Sequence, residues 1–167
     1  MKKLFCAMLA GCMCFGLAAC SSDSSKEEKK EEKEEKKDVY EMKETVKLED
    51  QNYTVNSLTT SQGTDFATPK DGNVFVLIDV TIENTSEEEI SYNELNFSIQ
   101  NSQGQIDSIG FSVLNVDHPL GSGKLAAGGK VSGTIVAEEP ADDINGLTLI
   151  YKSGVFGGEE IKVNLKA

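Results

Sequence analysis

The stretch Asn73–Thr85, which reads NVFVLIDVTIENT, decides the fold of this chain. Apolar side chains recur at every second position along it, in Val74, Val76, Ile78, Val80 and Ile82. Because successive side chains of a strand point to opposite faces of a sheet, this period of two predicts a β-strand with one face in a core. Phe75 and Leu77 lie on the other face. Two explanations for them stay open: the loop 103–123 covers them, or they belong to an apolar surface for a partner.

The same alternation continues on both sides of this strand. It recurs in the segments 46–48, 53–58, 95–99, 131–137, 147–151 and 161–165. Clusters of Gly, Asn and Asp separate the segments and predict turns between them. No apolar period of 3.6 residues lasts long enough to predict a helix. We therefore predict an all-β domain, an antiparallel β-sandwich of roughly seven to eight strands, in which 103–123 supplies one irregular strand and a long loop.

Composition divides the chain into three parts. Residues 1–19 are apolar, residues 20–44 are almost wholly polar, and residues 45–167 carry the alternating pattern. The third part is long enough to bury a core without disulfides or metals. We expect a signal peptide at 1–19, a lipidated N-terminus and charged flexible spacer at 20–44, and the β-sandwich domain at 45–167.

The N-terminal segment carries a processing signal. Lys2 and Lys3 precede Leu4–Ala19, whose 16 uncharged residues suit the apolar middle of a signal peptide better than a membrane span. The end of the segment, Leu17-Ala18-Ala19-Cys20, resembles the lipobox of bacterial prolipoproteins. That resemblance implies that Cys20 receives a diacylglyceryl group and becomes the first residue after cleavage. The alternatives are an ordinary secretory signal and an uncleaved anchor.

All four cysteines lie at or before Cys20. A soft-metal cluster of Cys6, Cys12 and Cys14 is a weaker alternative, because cleavage of the signal peptide discards all three. The processed domain then keeps no thiol for a disulfide, and two acyl chains on Cys20 give lasting membrane attachment. We expect a lipid-anchored protein on the extracytoplasmic side of a bacterial cell membrane.

The tract Lys26–Lys37 holds six lysines and six glutamates. Only two of its eight i,i+4 pairs have opposite charges, so ion pairing does little to favour a helix. The tract also lacks an apolar stripe that could dock on a core. We predict a disordered to partly helical spacer over 21–44, with a reach of at most ~80 Å.

Charge excludes some classes of partner. From residue 45 onward, seven lysines stand against 18 acidic residues, and the whole chain has a formal net charge of −12 and no arginine. Such a surface repels phosphate backbones, so nucleic-acid binding is disfavoured. It also gives no electrostatic attraction to anionic lipids, which leaves Cys20 as the membrane contact.

Five segments of the domain resemble a known family when they are taken together and in order. They read YTVNSL from Tyr53, GNVFVLIDVTIENTSEEE from Gly72, LNFSIQNSQG from Leu95, LAAGGKVSGTIVAEEP from Leu125 and LTLIYKSG from Leu147. They are similar to a large family of bacterial lipoprotein and secreted domains of unknown function. The resemblance implies an immunoglobulin-like sandwich, like that of a secreted mycobacterial immunoprotective protein, and an extracytoplasmic location. It implies no activity and no catalytic residue.

Residues that carry chemistry are few. His118 is the only histidine, and no G-x-S-x-G sequence surrounds any serine, so a hydrolase that uses His118 is the least favoured alternative. The acidic pairs and triplets at 87–89, 138–139, 142–143 and 159–160 would hold Ca²⁺ if their loops converged, which gives the alternative of a calcium-dependent adhesion domain. None has the ligand spacing of a known calcium loop. We expect a non-enzymatic binding or interaction module without a cofactor, whose partner is a protein or another component of the cell envelope.

Overall fold

The computed structural model describes residues 37, 39–109, 114–153 and 158–166. Eleven strands follow one another: β1 Tyr40–Glu41, β2 Thr45–Leu48, β3 Gln51–Ser61, β4 Asn73–Asn84, β5 Ile90–Asn93, β6 Phe97–Gln100, β7 Ile106–Ser108, β8 Ser122–Leu125, β9 Lys130–Pro140, β10 Thr148–Lys152 and β11 Glu160–Asn164. Two short 3₁₀ helices, Glu94–Asn96 and Ile144–Gly146, precede β6 and β10. Within these described ranges, no helix has the length and apolar character needed to span a bilayer.

The strands form two large sheets and a separate two-stranded sheet. One sheet has the order β1-β11-β10-β6-β7, the other β2-β3-β4-β9, and β5 pairs with β8. Every pairing is antiparallel except that of β1 with β11, which is parallel. The two sheets therefore present alternating side chains to each other, as the sequence predicts.

The core lies between the inner faces of the two sheets. From the four-stranded sheet it receives Val46, Leu48, Tyr53, Val55, Val76, Ile78, Val80, Ile82 and Ile135, and from the five-stranded sheet Phe97, Ile99, Leu149, Tyr151, Ile161 and Val163. Tyr151 stands at its centre, with its ring centroid 4.0 Å from that of Tyr53 and 4.9 Å from that of Phe97. The predicted all-β sandwich is confirmed. The strand count exceeds the predicted seven to eight because β1, β5, β7 and β8 are short and lack alternation.

The outer face of β4 is also covered. Phe75 is buried with Ala67, Leu114 and Val136, and Leu77 packs against this second cluster. Leu114 and Val116 come from the loop after β7, so of the two explanations left open for Phe75 and Leu77, the structure supports cover by the segment 103–123. Both faces of β4 are apolar at this end because the inner face meets the main core and the outer face meets this second cluster.

Asn84 closes β4 and fixes the turn that follows. Its side chain is 1% exposed and donates from Nδ2 to the carbonyls of Glu88, Leu125 and Ala126 at 2.6, 3.1 and 2.9 Å. Its Oδ1 accepts from the backbone N–H and the hydroxyl of Ser86 at 2.9 and 2.8 Å. A buried amide with both ends bonded rigidifies its surroundings, so this residue ties the end of β4 to the end of β8 and to the turn that follows β8.

Ordered structure begins before residue 45. Tyr40 and Glu41 belong to the segment 20–44, for which the sequence predicts a spacer, yet they pair with Val163 and Asn164 of β11. Tyr40 and Met42 pack against the core. The sequence does not indicate this, because charged residues surround both of them. The predicted signal peptide, the lipid attachment at Cys20 and the tract Lys26–Lys36 lie outside the described residues.

Candidate functional site

Two loops meet at one end of the four-stranded sheet. Ser61 at the end of β3 pairs with Phe75 of β4, and Asn73 of β4 pairs with Pro140 at the end of β9. The loop 62–72 therefore lies beside residues 138–143, which are the last residues of β9 and the turn after it. We call this region the acidic end. Glu138 joins the loops, because its Oε1 accepts the backbone N–H of Lys70 at 2.9 Å and Nδ2 of Asn73 at 3.0 Å. The N–H of Ala141 donates to the carbonyl of Gly72 at 3.0 Å, so the region is held from both sides.

Phe66 projects from the acidic end into solvent. Its side chain is 99% exposed, whereas the other exposed large apolar residues that the structure describes, Val39, Leu95 and Ile106, are 40 to 55% exposed. An apolar ring in water is unfavourable by about 2 kcal/mol relative to a buried one. A large aromatic side chain in this position is typical of a residue that is buried by a partner.

The turn that carries Phe66 is rigidly built. Thr64 and Ala67 exchange two backbone hydrogen bonds of 2.8 and 3.2 Å, and the N–H of Phe66 donates to Oγ1 of Thr64 at 3.3 Å. Ala67 is buried in the second cluster, on the outer face of β4, which we call the outer cluster. This contact packs the turn against the sheet. Gly63 precedes the turn with φ = +85°, a conformation that favours glycine. The turn therefore holds its aromatic tip in a fixed place, and little conformational entropy is lost when a partner binds.

The acidic end is strongly negative. It contains one basic residue, Lys70, and six acidic ones, which are Asp65, Asp71, Glu138, Glu139, Asp142 and Asp143. Asp65, Asp71 and Asp142 are exposed. Hydrogen bonds from the Lys70 backbone N–H and from Asn73 lower the pKa of Glu138, so that carboxylate stays charged. Phe66 is thus an apolar tip in a field that attracts cations.

Glu139 is the exception among these carboxylates because it is buried. It lies opposite Val74 on the inward-facing row of β9 and is 4% exposed. Burial, followed by the charges of Asp107 and Asp143, raises its pKa to about 7. Asp143 itself accepts hydrogen bonds from Ser102, which lower its pKa. Above neutral pH this buried carboxylate therefore becomes charged, and its charge destabilises the folded protein.

The acidic clusters do not converge as a calcium site requires. Residues 138–139 and 142–143 lie at the acidic end, whereas 87–89 follow the opposite end of β4. Glu160 at the start of β11 forms ion pairs with Lys152 and Lys162 at 3.4 and 3.3 Å. Across the described part of the chain, no three His, Cys, Asp or Glu side chains are grouped to hold a metal ion. The geometry gives the calcium hypothesis no support.

His118 lies outside the acidic end, and its main-chain carbonyl holds the neighbouring segment against β9. Its carbonyl accepts the N–H of Thr134 at 2.7 Å, and the next bond, from Leu120 N–H to the Thr134 carbonyl, is 3.1 Å. These contacts place the segment 118–120 along the edge of β9. The imidazole is exposed, and among the described residues no serine hydroxyl or carboxylate is hydrogen-bonded to it. The arrangement lacks the nucleophile and orienting acid that hydrolysis needs.

Two cavities deserve comparison with the acidic end. The void among Tyr53, Phe97 and Tyr151 measures about 10 Å³, the space of one water molecule. A groove of about 430 Å³ lies between β2 and β11 and is lined by Lys47, Leu48 and Lys162. Its bases are partly neutralised, since Lys162 pairs with Glu160 and Lys37 at its rim pairs with Glu44 at 3.0 Å. The acidic end has the clearer binding chemistry.

Sequence analysis missed Phe66. The loop SQGTDFATPKDG, which begins at Ser61, contains one aromatic residue among Gly, Pro and polar residues and has no alternation. A lone aromatic in such a loop is a signal that could have been followed. Its exposure, however, depends on Ala67 and not Phe66 entering the outer cluster, which only the folded chain decides.

Comparison with known proteins supports the fold. The chain is 29% identical over 124 residues to the uncharacterized lipoprotein YjhA from Bacillus subtilis (strain 168), and the match covers 68% of this chain and 58% of that relative. The crystal structure of the yjhA protein superposes with a TM-score of 0.63 at 26% identity, covering 76% of this chain and 99% of the solved one. The ycdA protein from Bacillus subtilis subsp. subtilis str. 168 shares the fold, with a TM-score of 0.58 at 12% identity, covering 76% of this chain and 39% of the other.

The match to a family model has nearly the same limits as the folded part of the chain. It covers residues 40–161 and so begins at β1, five residues before the predicted boundary at 45, and it ends within β11. The resemblance to a family of bacterial domains of unknown function is confirmed. The chain belongs to the family described as domain of unknown function DUF4352.

Proposed function

We propose that this protein is a membrane-anchored extracytoplasmic lipoprotein whose β-sandwich is a non-enzymatic binding module that contacts its partner through the acidic end. The observation that carries the proposal is the full exposure of Phe66 on a locked turn. A rigid aromatic anchor surrounded by charge is a common feature of interaction hot spots.

The anchor is supported by the sequence at Cys20. A charged start, an apolar stretch and Leu17-Ala18-Ala19-Cys20 stand in the order that prolipoprotein processing uses. The relative YjhA is itself named a lipoprotein. Two acyl chains on Cys20 would keep the domain at the outer face of the membrane.

The non-enzymatic part of the proposal rests on the surroundings of His118 and on the character of the acidic end. Phe66 and the carboxylates around it can bind, but the acidic end offers no activated nucleophile. Burial of the Phe66 ring by a partner would stabilise a complex by about 2 kcal/mol, and nearby carboxylates would speed association with a cationic partner.

The lipid anchor is tested by metabolic labelling. Cells that express the full chain are fed an alkyne analogue of palmitate, and labelling is compared with that of Cys20→Ala. Label on the unchanged chain and none on the variant supports the anchor. Equal labelling of both removes it.

Photo-crosslinking tests the binding surface. p-Benzoylphenylalanine replaces Phe66 in one variant and Leu95, which is 47% exposed, in the matched control. We expect a discrete crosslinked product in intact cells from position 66 and a much weaker one from position 95. A crosslink of equal strength from both, or from neither, argues against the acidic end as the contact surface.

A further inference from the structure

Among the residues that the structure describes, the C-terminal part of β3, Ser57–Ser61, is an open sheet edge. β2 pairs with β3 through four residues only, from Leu48 opposite Gln51 to Thr45 opposite Thr54. The N–H of Lys43 adds one bond of 2.8 Å to the carbonyl of Val55. Beyond it, Ser57–Ser61 pairs with β4 on one side, and no described main-chain group bonds to it from the other.

The edge is open because of how the chain enters the sheet. β1 belongs to the five-stranded sheet, so residues 42–44 must cross to the other sheet before β2 begins. The crossing is a tight turn, with Lys43 at φ = +71° and the Glu44 N–H donating to the Glu41 carbonyl at 3.2 Å. β2 therefore starts opposite Thr54 and leaves the rest of β3 uncovered.

A bulge sets this edge apart from the covered part of the strand. The register of β3 against β4 shifts between Val55 and Ser57, and Asn56 fills the extra position. Nδ2 of Asn56 donates to Oγ1 of Thr81 at 2.9 Å and also to Asp79, which fixes the bulge. Bulges re-aim a strand, and this one lies where the open edge begins.

The open edge lacks the usual protection. Edge strands are commonly blunted by charged side chains, by proline or by brevity. Ser57–Ser61 reads SLTTS, without charge or proline, and Ser57, Thr59 and Thr60 are exposed. Five residues span about 17 Å, which is the length of an ordinary strand.

We propose that the partner of this protein supplies an extended polypeptide segment that pairs with the open edge Ser57–Ser61 as an added strand and ends against the Phe66 turn. The inference rests on the proposed function and names its partner class. Unpaired backbone donors and acceptors are satisfied by another strand, as in β-augmentation. The turn follows the edge directly, with Gly63 two residues after Ser61, so one segment reaches both.

Charge selects the segment further. The edge itself is neutral, but it leads into the acidic end. There Asp65 and Asp71 and four further acidic residues stand against Lys70 as the single base. A segment with lysine or arginine at the end that meets the turn is therefore favoured over an acidic one.

A second copy of this chain is a poorer occupant. Two-fold pairing of identical edges runs the two strands antiparallel. β1, through which the chain enters the domain, would then run in opposite directions in the two copies. Each copy would also present a strongly acidic domain to the other, with 18 acidic residues against seven lysines from residue 45 onward, so neither acidic end would meet a cationic partner. An extended segment from a different protein has no such conflict.

The test uses the full lipidated chain in nanodiscs and a phage-displayed library of linear dodecapeptides, with empty nanodiscs for counter-selection. Selected peptides are then added during hydrogen–deuterium exchange. We expect peptides rich in lysine and arginine, and exchange at residues 57–61 slower by at least about tenfold. Thr59→Lys puts a charge on the open edge and should weaken binding by about tenfold or more. Thr54→Lys, on the part of β3 that β2 covers, is the matched control and should bind as the unchanged chain does.

Other results overturn the inference in distinguishable ways. Protection confined to 62–69 and lost in Phe66→Ala leaves the proposed function in place but removes the added strand. Failure to select any peptide above empty nanodiscs also removes it, while crosslinking at position 66 decides the proposed function separately. Protection of 57–61 that increases with protein concentration alone identifies a second copy as the occupant and contradicts the proposal.

Discussion

Asn84 and Glu139 are both buried polar residues, yet they have opposite effects on stability. Asn84 uses both ends of its amide in hydrogen bonds. Glu139 lies on the inward row of β9, and no described group donates a hydrogen bond to its carboxylate. An unpaired buried charge is costly, so the folded protein favours the protonated form of Glu139.

Stability should therefore fall as pH rises through the pKa of Glu139. Its pKa in the folded protein is about 7, above the ordinary glutamate value of 4.5 that applies to the unfolded chain, so the folded state binds the proton more tightly. The contribution of the protonated group is complete below pH 4.5, declines as pH rises, and is lost above about 7. Glu139→Gln is always neutral and should remove this decline, with a free energy of unfolding at pH 8 higher by up to about 3 kcal/mol.

Glu138→Gln is the matched control for that measurement. Glu138 has a lowered pKa and hydrogen-bonded surroundings, and its charge is the smallest of the contributions to the raised pKa of Glu139. Its substitution should therefore leave most of the decline between pH 5 and about 8 in place. Denaturant unfolding across this pH range measures both variants. Parallel pH profiles for Glu139→Gln and the unchanged chain would contradict the assignment.

At the scale of the element, the Phe66 turn depends on one close approach. Gly63 and Gly72 lie in the same loop and both have φ = +85°. A Cβ on Gly63 would stand 2.0 Å from the carbonyl oxygen of Ala67, whereas a Cβ on Gly72 would meet nothing within 4 Å. The two glycines look alike in the sequence, and only the packing of the turn separates them.

The pair Gly63→Ala and Gly72→Ala isolates that contact. Each should lose about 1–2 kcal/mol because alanine disfavours positive φ. Gly63→Ala should lose about 1–3 kcal/mol more, because the turn must shift away from Ala67. Urea unfolding measures the difference, and crosslinking at position 66 should weaken only in the Gly63 variant. Equal losses in the two variants would show that the turn tolerates a side chain at residue 63.

At the scale of the whole molecule, the domain begins earlier than composition indicates. β1 adds a parallel strand to β11, and the Glu41 carboxylate accepts hydrogen bonds from Asn164 and Lys166, each at 3.0 Å. Tyr40 and Met42 cover the adjacent core. The crossing after β1 also determines where β2 starts, and so it leaves the edge of β3 open.

A chain of residues 45–167 should be less stable than one of residues 37–167. The loss of β1 exposes the core beneath Tyr40 and Met42, so we expect a free energy of unfolding lower by about 2–4 kcal/mol. Thermal and urea unfolding of the two chains measure the difference. Equal stability would place the start of the domain at residue 45, as composition predicts.

The alternation in Asn73–Thr85 and its neighbouring segments determined the all-β sandwich, because a period of two is a local property that the sequence displays directly. The turn residues and the family resemblance around ENTSEEE could also be read from the sequence, whereas the structure was needed to choose between the two explanations for Phe75 and Leu77. Cys20 stays a prediction of the sequence alone.

Only the tertiary structure decided the features on which the proposed binding surface rests. Phe66 is exposed because Ala67 takes the buried place, Glu139 is buried because its row of β9 faces inward, and Ser57–Ser61 is open because β2 starts late. Each depends on which distant segments meet, and no local periodicity records that. The sequence by itself therefore determined the architecture of this protein, whereas long-range packing determined the surface that we propose it uses.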